Sequence, residues 1–328
     1  MAGRRPTLEQ VAARAKVSRG TASRVVNGSA KVSGPAREAV LRAIDELGYV
    51  PNHAARALAA RRTGTVALVM SEEPGRPFEQ PYFGELLSGV GAAADAAGAA
   101  LTLTFTHSSA GRADLADDLR AQRVDGVVLA SLIREDPLPG LLERHGVPLV
   151  LAGRPHGRDA VRPVYVDADN RGGSRRATGY LVGQGRRRIA TIAGPRDTAV
   201  GADRLAGYRE ALSGRRELVT HGDFSEAGGA AAMRRLLDRE PSLDAVFAAS
   251  ANMALGALRV LEQRGRRVPE DVAVVGFEDV PDARGTRPAL TTVRQPTEAM
   301  GRRMVEALLD RTAAPVICGT DLVVRESA

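Results

Sequence analysis

Eight short apolar runs punctuate the chain from Thr65 onward: TVALVM, LTLTFT, DGVVLAS, PLVLAG, PVYVDA, RIATIAG, DAVFAAS and VAVVGF. Helical periodicity fills stretches between them, over 84–97, 170–183, 226–238 and 252–264. A strand apolar at nearly every position, without the alternation of a half-solvated sheet, is covered on both faces. Such strands alternating with helices predict parallel, doubly wound α/β sheets. Some ten strands over this length fit two sheets more comfortably than one. Ligands of these folds bind beyond the carboxyl ends of the strands. The loops to watch therefore begin at Ser71, Ser131, Gly153, Gly194, Ser250 and Glu278, with Arg154 and Asn252 as polar candidates within them.

The first 64 residues are of another kind. They carry 12 basic and 4 acidic residues, a balance of +8 within a chain total of +7, so the remaining residues are near neutral at −1. A cationic head on a neutral body points to a polyanion as partner. Within it, TLEQVAARAK has capping-box spacing at Thr7 and Gln10 and an apolar face of Leu8, Val11, Ala12 and Ala15. Only Lys16 and Val17 separate this helix from Ser18, a good N-cap, so two short helices must cross through a tight turn, the helix-turn-helix pattern. In VSRGTASRVVNGS, Ala22, Val25 and Val26 form an apolar stripe, while Arg19, Gly20, Ser23, Arg24 and Asn27 make a polar face without a single acid. A third helix follows, capped by Ser33, with Val40, Ile44 and Leu47 as its stripe and Gly48 just past its end.

The segment VPNHAARALAARRTG favours helix but offers little to bury, so alone it is mostly unfolded. By itself it reads as an Ala-rich linker. Leu58, set among Arg56, Arg61 and Arg62, also suits a segment that folds on DNA and wedges a leucine into the minor groove.

Composition excludes several classes. One cysteine, Cys318, forbids an internal disulfide and fits a reducing compartment. The basic start lacks the apolar core of a signal peptide, and no 18-residue uncharged apolar run occurs, so a cytoplasmic chain without membrane contact is expected. No GxGxxG follows a strand, no GxxxxGK[ST] or GxSxG is present, and His53, His107, His145, His156 and His221 lack metal-ligand spacing. No cofactor, metal or catalytic role is expected. NRGGS (170–174) reads as a strand-to-helix turn more readily than as a phosphate cradle, and the three arginines of GRRRIATIAG as a solvated turn.

The chain resembles the lactose/galactose repressor (LacI/GalR) family of bacterial transcription regulators from Thr7 to about Glu326. VSRGTASRVVNG, ELGYVPNHAARAL, RTGTVALV, RRRIATIAGP, RLAGYREAL, MALGALRVL, VPEDVAVVGFEDVP and PALTTVRQP occur in the family's order and spacing. The resemblance implies a helix-turn-helix domain over 1–50, a hinge helix over 51–63, and an effector and dimerisation domain over 64–328 that is similar to periplasmic sugar-binding proteins. Its subdomains would be about 65–166 plus 295–322, and about 167–294 plus 323–328. The implied partners are a double-stranded DNA operator, a small polar effector of carbohydrate type, and a second copy of the chain.

Carried over by position, Arg19 and Gly20 fall where the family reads bases, with Thr21, Ser23, Arg24 and Asn27 beside them. Thr7, Ser18 and Ser33 match backbone-contacting positions, Asn52 and Ala55 hinge positions, and Leu58 the hinge leucine. For the effector, Arg204 matches the arginine that grips ligand hydroxyls, Phe224 a pocket aromatic, Glu278 the acid after VVGF, and Tyr82 and Phe83 the pocket edge; Arg154 and Asn252 complete the set. The chain departs from the family at Lys16, which replaces the turn glycine, at Gly20, which has no side chain to read a base, at Ala251, where Asp is usual, and at Glu278, again where Asp is usual. A solute-binding protein would share the body but needs a signal peptide and lacks the cationic head, and an α/β enzyme would need a catalytic constellation that the sequence does not offer.

Overall fold

A computed structural model describes residues 6–26, 31–49, 63–71, 81–122, 124–131, 136–155, 164–310 and 314–328. The chain divides into two compact units, Met1–Gly64 and Thr65–Ala328.

In the first unit, α1 (Leu8–Arg14), α2 (Arg19–Val26) and α3 (Gly34–Leu47) enclose a core of Val11, Ala12, Ala22, Val25, Val40 and Ala43. The capping box forms in full. Thr7 N–H donates to Gln10 Oε1 at 2.8 Å, and Gln10 N–H donates to Thr7 Oγ1 at 3.3 Å. After α1 the backbone closes in a Schellman turn, with Val17 N–H on Ala12 O and Lys16 N–H on Ala13 O. Lys16 occupies its left-handed position at φ 54°. A β-carbon there costs about 1 kcal/mol relative to glycine. Ser18 Oγ then accepts from Thr21 N–H at 3.1 Å, starting α2. Ser33 precedes α3 with extended backbone, but its side chain makes no capping bond; Pro35 instead fixes the first turn. Gly48 ends α3 at φ 59°.

The second unit contains two six-stranded sheets among the described residues. The first, in the order β11-β5-β4-β3-β1-β2, is built from β1 (Thr65–Ser71), β2 (Ala100–Thr106), β3 (Gly126–Ser131), β4 (Leu149–Ala152), β5 (Val164–Ala168) and β11 (Val316–Cys318). The second, in the order β12-β10-β9-β8-β6-β7, is built from β6 (Ile189–Ala193), β7 (Leu218–His221), β8 (Ala245–Ala248), β9 (Ala273–Phe277), β10 (Thr291–Arg294) and β12 (Asp321–Val323). Their helices are α4 (Pro81–Ala96), α5 (Ser109–Gln122), α6 (Leu138–Arg144), α7 (Asn170–Gly183), α8 (Ala199–Leu212), α9 (Glu226–Arg239), α10 (Ala251–Gln263), α11 (Pro281–Gly285) and α12 (Thr297–Asp310). Both faces of each sheet are covered, as continuous apolar strands require.

Three stretches carry the chain from one sheet to the other: β5 to α7, β10 to α12, and β11 to β12. Helix α7 packs in the core of the second sheet through Ala177 and Leu181, whereas α12 returns Met300, Met304, Val305 and Leu308 to the first. Each sheet with its helices is thus one lobe. Helices α4 and α12 lie so close that a methyl group on Gly89 would overlap the Glu298 carbonyl oxygen.

Several expectations need correction. The sheets are not wholly parallel, because β12 runs antiparallel to β10 at the edge. Asp321 and Leu322, assigned from sequence to the first subdomain, belong through β12 to the second sheet. Asp167 and Ala168, assigned to the second subdomain, finish β5 in the first sheet. NRGGS is no loop: it forms the first turns of α7, with Asp169 Oδ1 capping Gly172 N–H at 2.8 Å.

Candidate functional site

On the first unit, helix α2 turns Ala22 and Val25 inward and leaves Arg19, Gly20 and Arg24 exposed, with Thr21 and Ser23 half-buried beside them. Thr7, Ser18 and Ser33 are exposed as well. Among the described residues Arg19 pairs with Glu9 at 3.5 Å, both side chains being about two-thirds or more exposed. An ion pair that open to water contributes roughly 0–1 kcal/mol, so little opposes its exchange for a nucleic acid. Asn27, Asn52, Ala55 and Leu58 lie outside the described residues.

In the second unit, the carboxyl ends of strands from both sheets meet in one cleft. Ala130 lies at the end of β3, Ala152 ends β4 and Gly153 follows it, Asp167 lies in β5, Ser250 follows β8, Glu278 follows β9, and Gln295 follows β10. Tyr82 and Phe83 from the start of α4, Asn170 from α7, Val200 and Arg204 from α8, Asn252 from α10, and Phe224 and Met300 complete the lining. The space between them not occupied by atoms is about 690 Å³, part of it open to solvent, within the range of pockets that take a small ligand.

Arg204 organises the cleft. It is buried in the sixth position of α8, not at the helix start as its motif suggests, because Thr198 caps α8 further back by accepting from Gly201 N–H at 3.0 Å. Its guanidinium lies 3.7 Å above the Phe277 ring centroid. Nε donates to Asn170 Oδ1 at 2.9 Å, and Nη1 to Ala249 O at 2.6 Å and Glu278 Oε1 at 3.1 Å. Nη2 has a single long contact, 3.5 Å to Gln295 Oε1. Of the guanidinium's donors, those on Nη2 are the ones with capacity left for a ligand oxygen. Burial pulls the Arg204 pKa down, against the opposing pull of the Glu278 carboxylate.

Asn170 joins the two lobes. Its Nδ2 donates to Asp167 Oδ1 at 3.0 Å while its Oδ1 accepts from Arg204. Asp167, buried at the end of β5, also accepts from the backbone N–H groups of Ala168 and Arg154. Burial nonetheless pushes its carboxyl up, past what those bonds and Arg204 offset. Burial pushes the Tyr82 phenol up strongly too, with Asp167 and Glu278 adding to it. Phe224 at φ 69° and Glu278 at φ 76° hold left-handed backbone that disfavours side chains, and both point into the cleft. Strain of this kind, roughly 1–3 kcal/mol each, collects at binding sites.

Beneath Glu278, Asp279 collects three arginines. Arg325 donates to its carboxylate at 2.6 Å and Arg294 at 2.7 Å, while Arg284 pairs at 3.3 Å. Burial pushes Asp279 up, but the Arg294 and Arg325 bonds outweigh it and leave the carboxyl below its ordinary range. Asp279→Asn should lower stability by about 3 kcal/mol, as measured by urea unfolding. Because the folded pKa is depressed, this contribution is present in full above the unfolded value, about 3.9, and is lost as pH falls through the folded one. The stability difference between the two proteins should therefore shrink on acidification; an unchanged difference would remove the hub from the account.

Six of the seven residues expected at the effector site, Tyr82, Phe83, Arg204, Phe224, Asn252 and Glu278, come together in the cleft. Arg154 does not line it. Gly153 takes that place, and the Arg154 side chain turns to Asp203. Asp167, Asn170 and Gln295 were not singled out as ligand contacts, and Ser250 only as the start of a loop, although each stands within three residues of a strand end, where such folds bind ligands.

Comparison with known proteins matches both units. Residues 7–52 fit the model of bacterial regulatory proteins of the lacI family, and residues 178–328 that of a periplasmic binding protein-like domain. The HTH-type transcriptional regulator CelR of Thermobifida fusca is 54% identical over 99% of this chain and 98% of its own length. The chain belongs to the lacI family. Two solved structures align along nearly the whole of this lacI-family chain. One is a transcriptional regulator CelR–cellobiose complex, at 52% identity and a TM-score of 0.77, covering 99% of this chain and all of that one. The other is the lac repressor dimer bound to operator and the anti-inducer ONPF, at 28% identity and a TM-score of 0.84, covering 99% of each. No helix among the described residues is long and apolar enough to cross a membrane.

Proposed function

We propose that this lacI-family regulator is a cytoplasmic, homodimeric repressor whose operator binding is controlled by a neutral β-linked glucose disaccharide, cellobiose, held in the cleft. One observation carries the ligand class. Only 3% of the chain is aromatic, yet Tyr82, Phe83 and Phe224 all line one cleft beside Arg204, Asp167, Asn170 and Glu278. Flat apolar walls suit sugar faces, and converging donors and acceptors suit hydroxyls. Two carboxylates against one guanidinium disfavour phosphorylated or acidic sugars. The likeness to the CelR–cellobiose complex over the whole chain supports the same ligand.

In this reading residues 1–50 form the DNA-binding domain, 51–63 the hinge and 64–328 the effector and dimerisation domain. Arg19 reads a base edge, with Gly20, Thr21, Ser23, Arg24 and Asn27 flanking it in the major groove. Thr7, Ser18 and Ser33 hold phosphates, and Asn52, Ala55 and Leu58 act in the hinge, Leu58 as the wedge in the minor groove. The protein acts as a regulator and not as an enzyme: the cleft's polar groups bind and close, and none forms a nucleophile–base pair. The test is thermal unfolding of the full chain with cellobiose, glucose or inorganic phosphate. Cellobiose should raise the midpoint progressively, by up to about 2.7 kcal/mol of stabilisation at a hundredfold excess over Kd. Stabilisation by phosphate alone would overturn the ligand class.

A further inference from the structure

Arg154 and Asp203 are contributed by opposite lobes. Arg154 follows β4 of the first sheet, and Asp203 lies in α8 against the second. Arg154 Nη2 donates to both Asp203 carboxylate oxygens, each at 2.7 Å. The pair is partly shielded, the side chains being 41% and 24% exposed. At its other end Arg154 is anchored by its backbone N–H, which donates to Asp167 Oδ2 at 3.0 Å. Asp203 in turn directly precedes Arg204, the residue that holds Asn170, Glu278 and Gln295. Two neighbouring residues of one helix thus face two tasks: Arg204 looks into the cleft, and Asp203 grips the far lobe at its rim.

We propose that Arg154 and Asp203 form a cross-cleft latch that stabilises the closed lobes and thereby sets the effector concentration to which the protein responds. The pair exists only when the lobes are together, since parting them by a few ångströms breaks both bonds. Closed lobes are the binding-competent state, and apparent affinity scales with the fraction of molecules in that state. Asp203 and Arg204 are neighbours on α8, so the closing contact and the ligand contact share one helix. Neither latch residue need touch the ligand: Gly153 and Val200 stand at the cleft wall, and Arg154 and Asp203 lie outside it.

The latch rests on the cleft being the effector site, and the experiment separates the two ideas. Calorimetric titration of cellobiose into the full chain compares the unaltered protein with Arg154→Met, Asp203→Ala and the double variant. Arg154→Met keeps the backbone bond to Asp167 and the aliphatic stem. Each single change should weaken binding by about three- to tenfold, and the double change by no more than either. Raising salt from roughly 0.05 to 0.5 M should weaken the unaltered protein and leave the variants nearly level. A large loss in Arg154→Met with none in Asp203→Ala would overturn the latch and make Arg154 a ligand contact. Additive losses would overturn it as well. Should the unaltered protein bind no cellobiose, the sugar assignment fails. The latch is then read from hydrogen–deuterium exchange without ligand. Asp203→Ala should speed exchange over residues 150–155; unchanged exchange would overturn the latch.

Discussion

Arg204→Ala is expected to abolish the effector response while leaving operator affinity intact. The guanidinium is buried, stacked on Phe277 and bonded to Asn170, Glu278 and the Ala249 carbonyl, with Nη2 turned to the cleft. Each lost hydrogen bond from a charged donor to a ligand hydroxyl is worth about 1.5–3 kcal/mol, or roughly ten- to a hundredfold in affinity. Truncation also leaves Glu278 without its partner, which lowers stability by a few kcal/mol. Arg204→Lys, which keeps the charge and loses the planar fork, separates the two effects: it should melt close to the unaltered protein and still respond weakly or not at all. A folded Arg204 variant that responds at the original ligand concentration would place the effector elsewhere.

The second large effect concerns DNA. Arg19→Ala should weaken operator binding by about 1–3 kcal/mol and relax preference at one base pair per half-site, most simply a guanine. Among the described residues of the first unit none packs on Arg19, which is exposed and only loosely paired with Glu9. Lys16→Gly serves as a contrast. It relieves the left-handed strain at φ 54° and removes a charge without touching base readout. Affinity measured on a set of single-base operator variants distinguishes the two: Arg19→Ala flattens one column of that set, and Lys16→Gly shifts all of them together. Equal loss on every sequence in Arg19→Ala would refute base reading by this residue. Binding should also fall steeply with salt.

Much of this was legible in the sequence because it rests on local physics. The capping box at Thr7, the cap at Ser18 and the left-handed Gly48 are decided within a few residues, and all three form. The buried strands announced themselves as continuous apolar runs. The shortest strands did not: β7, β11 and β12 at sheet edges and β10 just inside one are three or four residues each, and β11 and β12 are partly open to solvent, so no long apolar run marks them. Helix α5 was not among the helices named from periodicity for a related reason, as the residues of SAGRADLADDLRAQ described as buried are Arg112, Ala116 and Leu119 alone. The cleft was half legible. Asp167, Asn170 and Gln295 stand where the chain passes between lobes, and only the tertiary crossing brings them together. Arg154 was over-read because one residue decides which way a loop faces. Its neighbour Gly153, at φ 110°, turns the backbone so that the glycine lines the cleft and the arginine reaches Asp203.

The proposed function couples a sugar cleft to a DNA-reading head within one chain. Linkage makes it quantitative: a ligand that changes operator affinity by some factor must have its own affinity changed by that factor when operator is bound. A duplex selected by the full-length protein from a random library supplies the operator. Fluorescence anisotropy of that duplex, with and without saturating cellobiose, gives one factor, and calorimetric titration of cellobiose with and without the duplex gives the other. The expected result is an inverted-repeat duplex and two equal factors, each in the range of about 5- to 150-fold. Cellobiose binding that leaves operator affinity unchanged would contradict it.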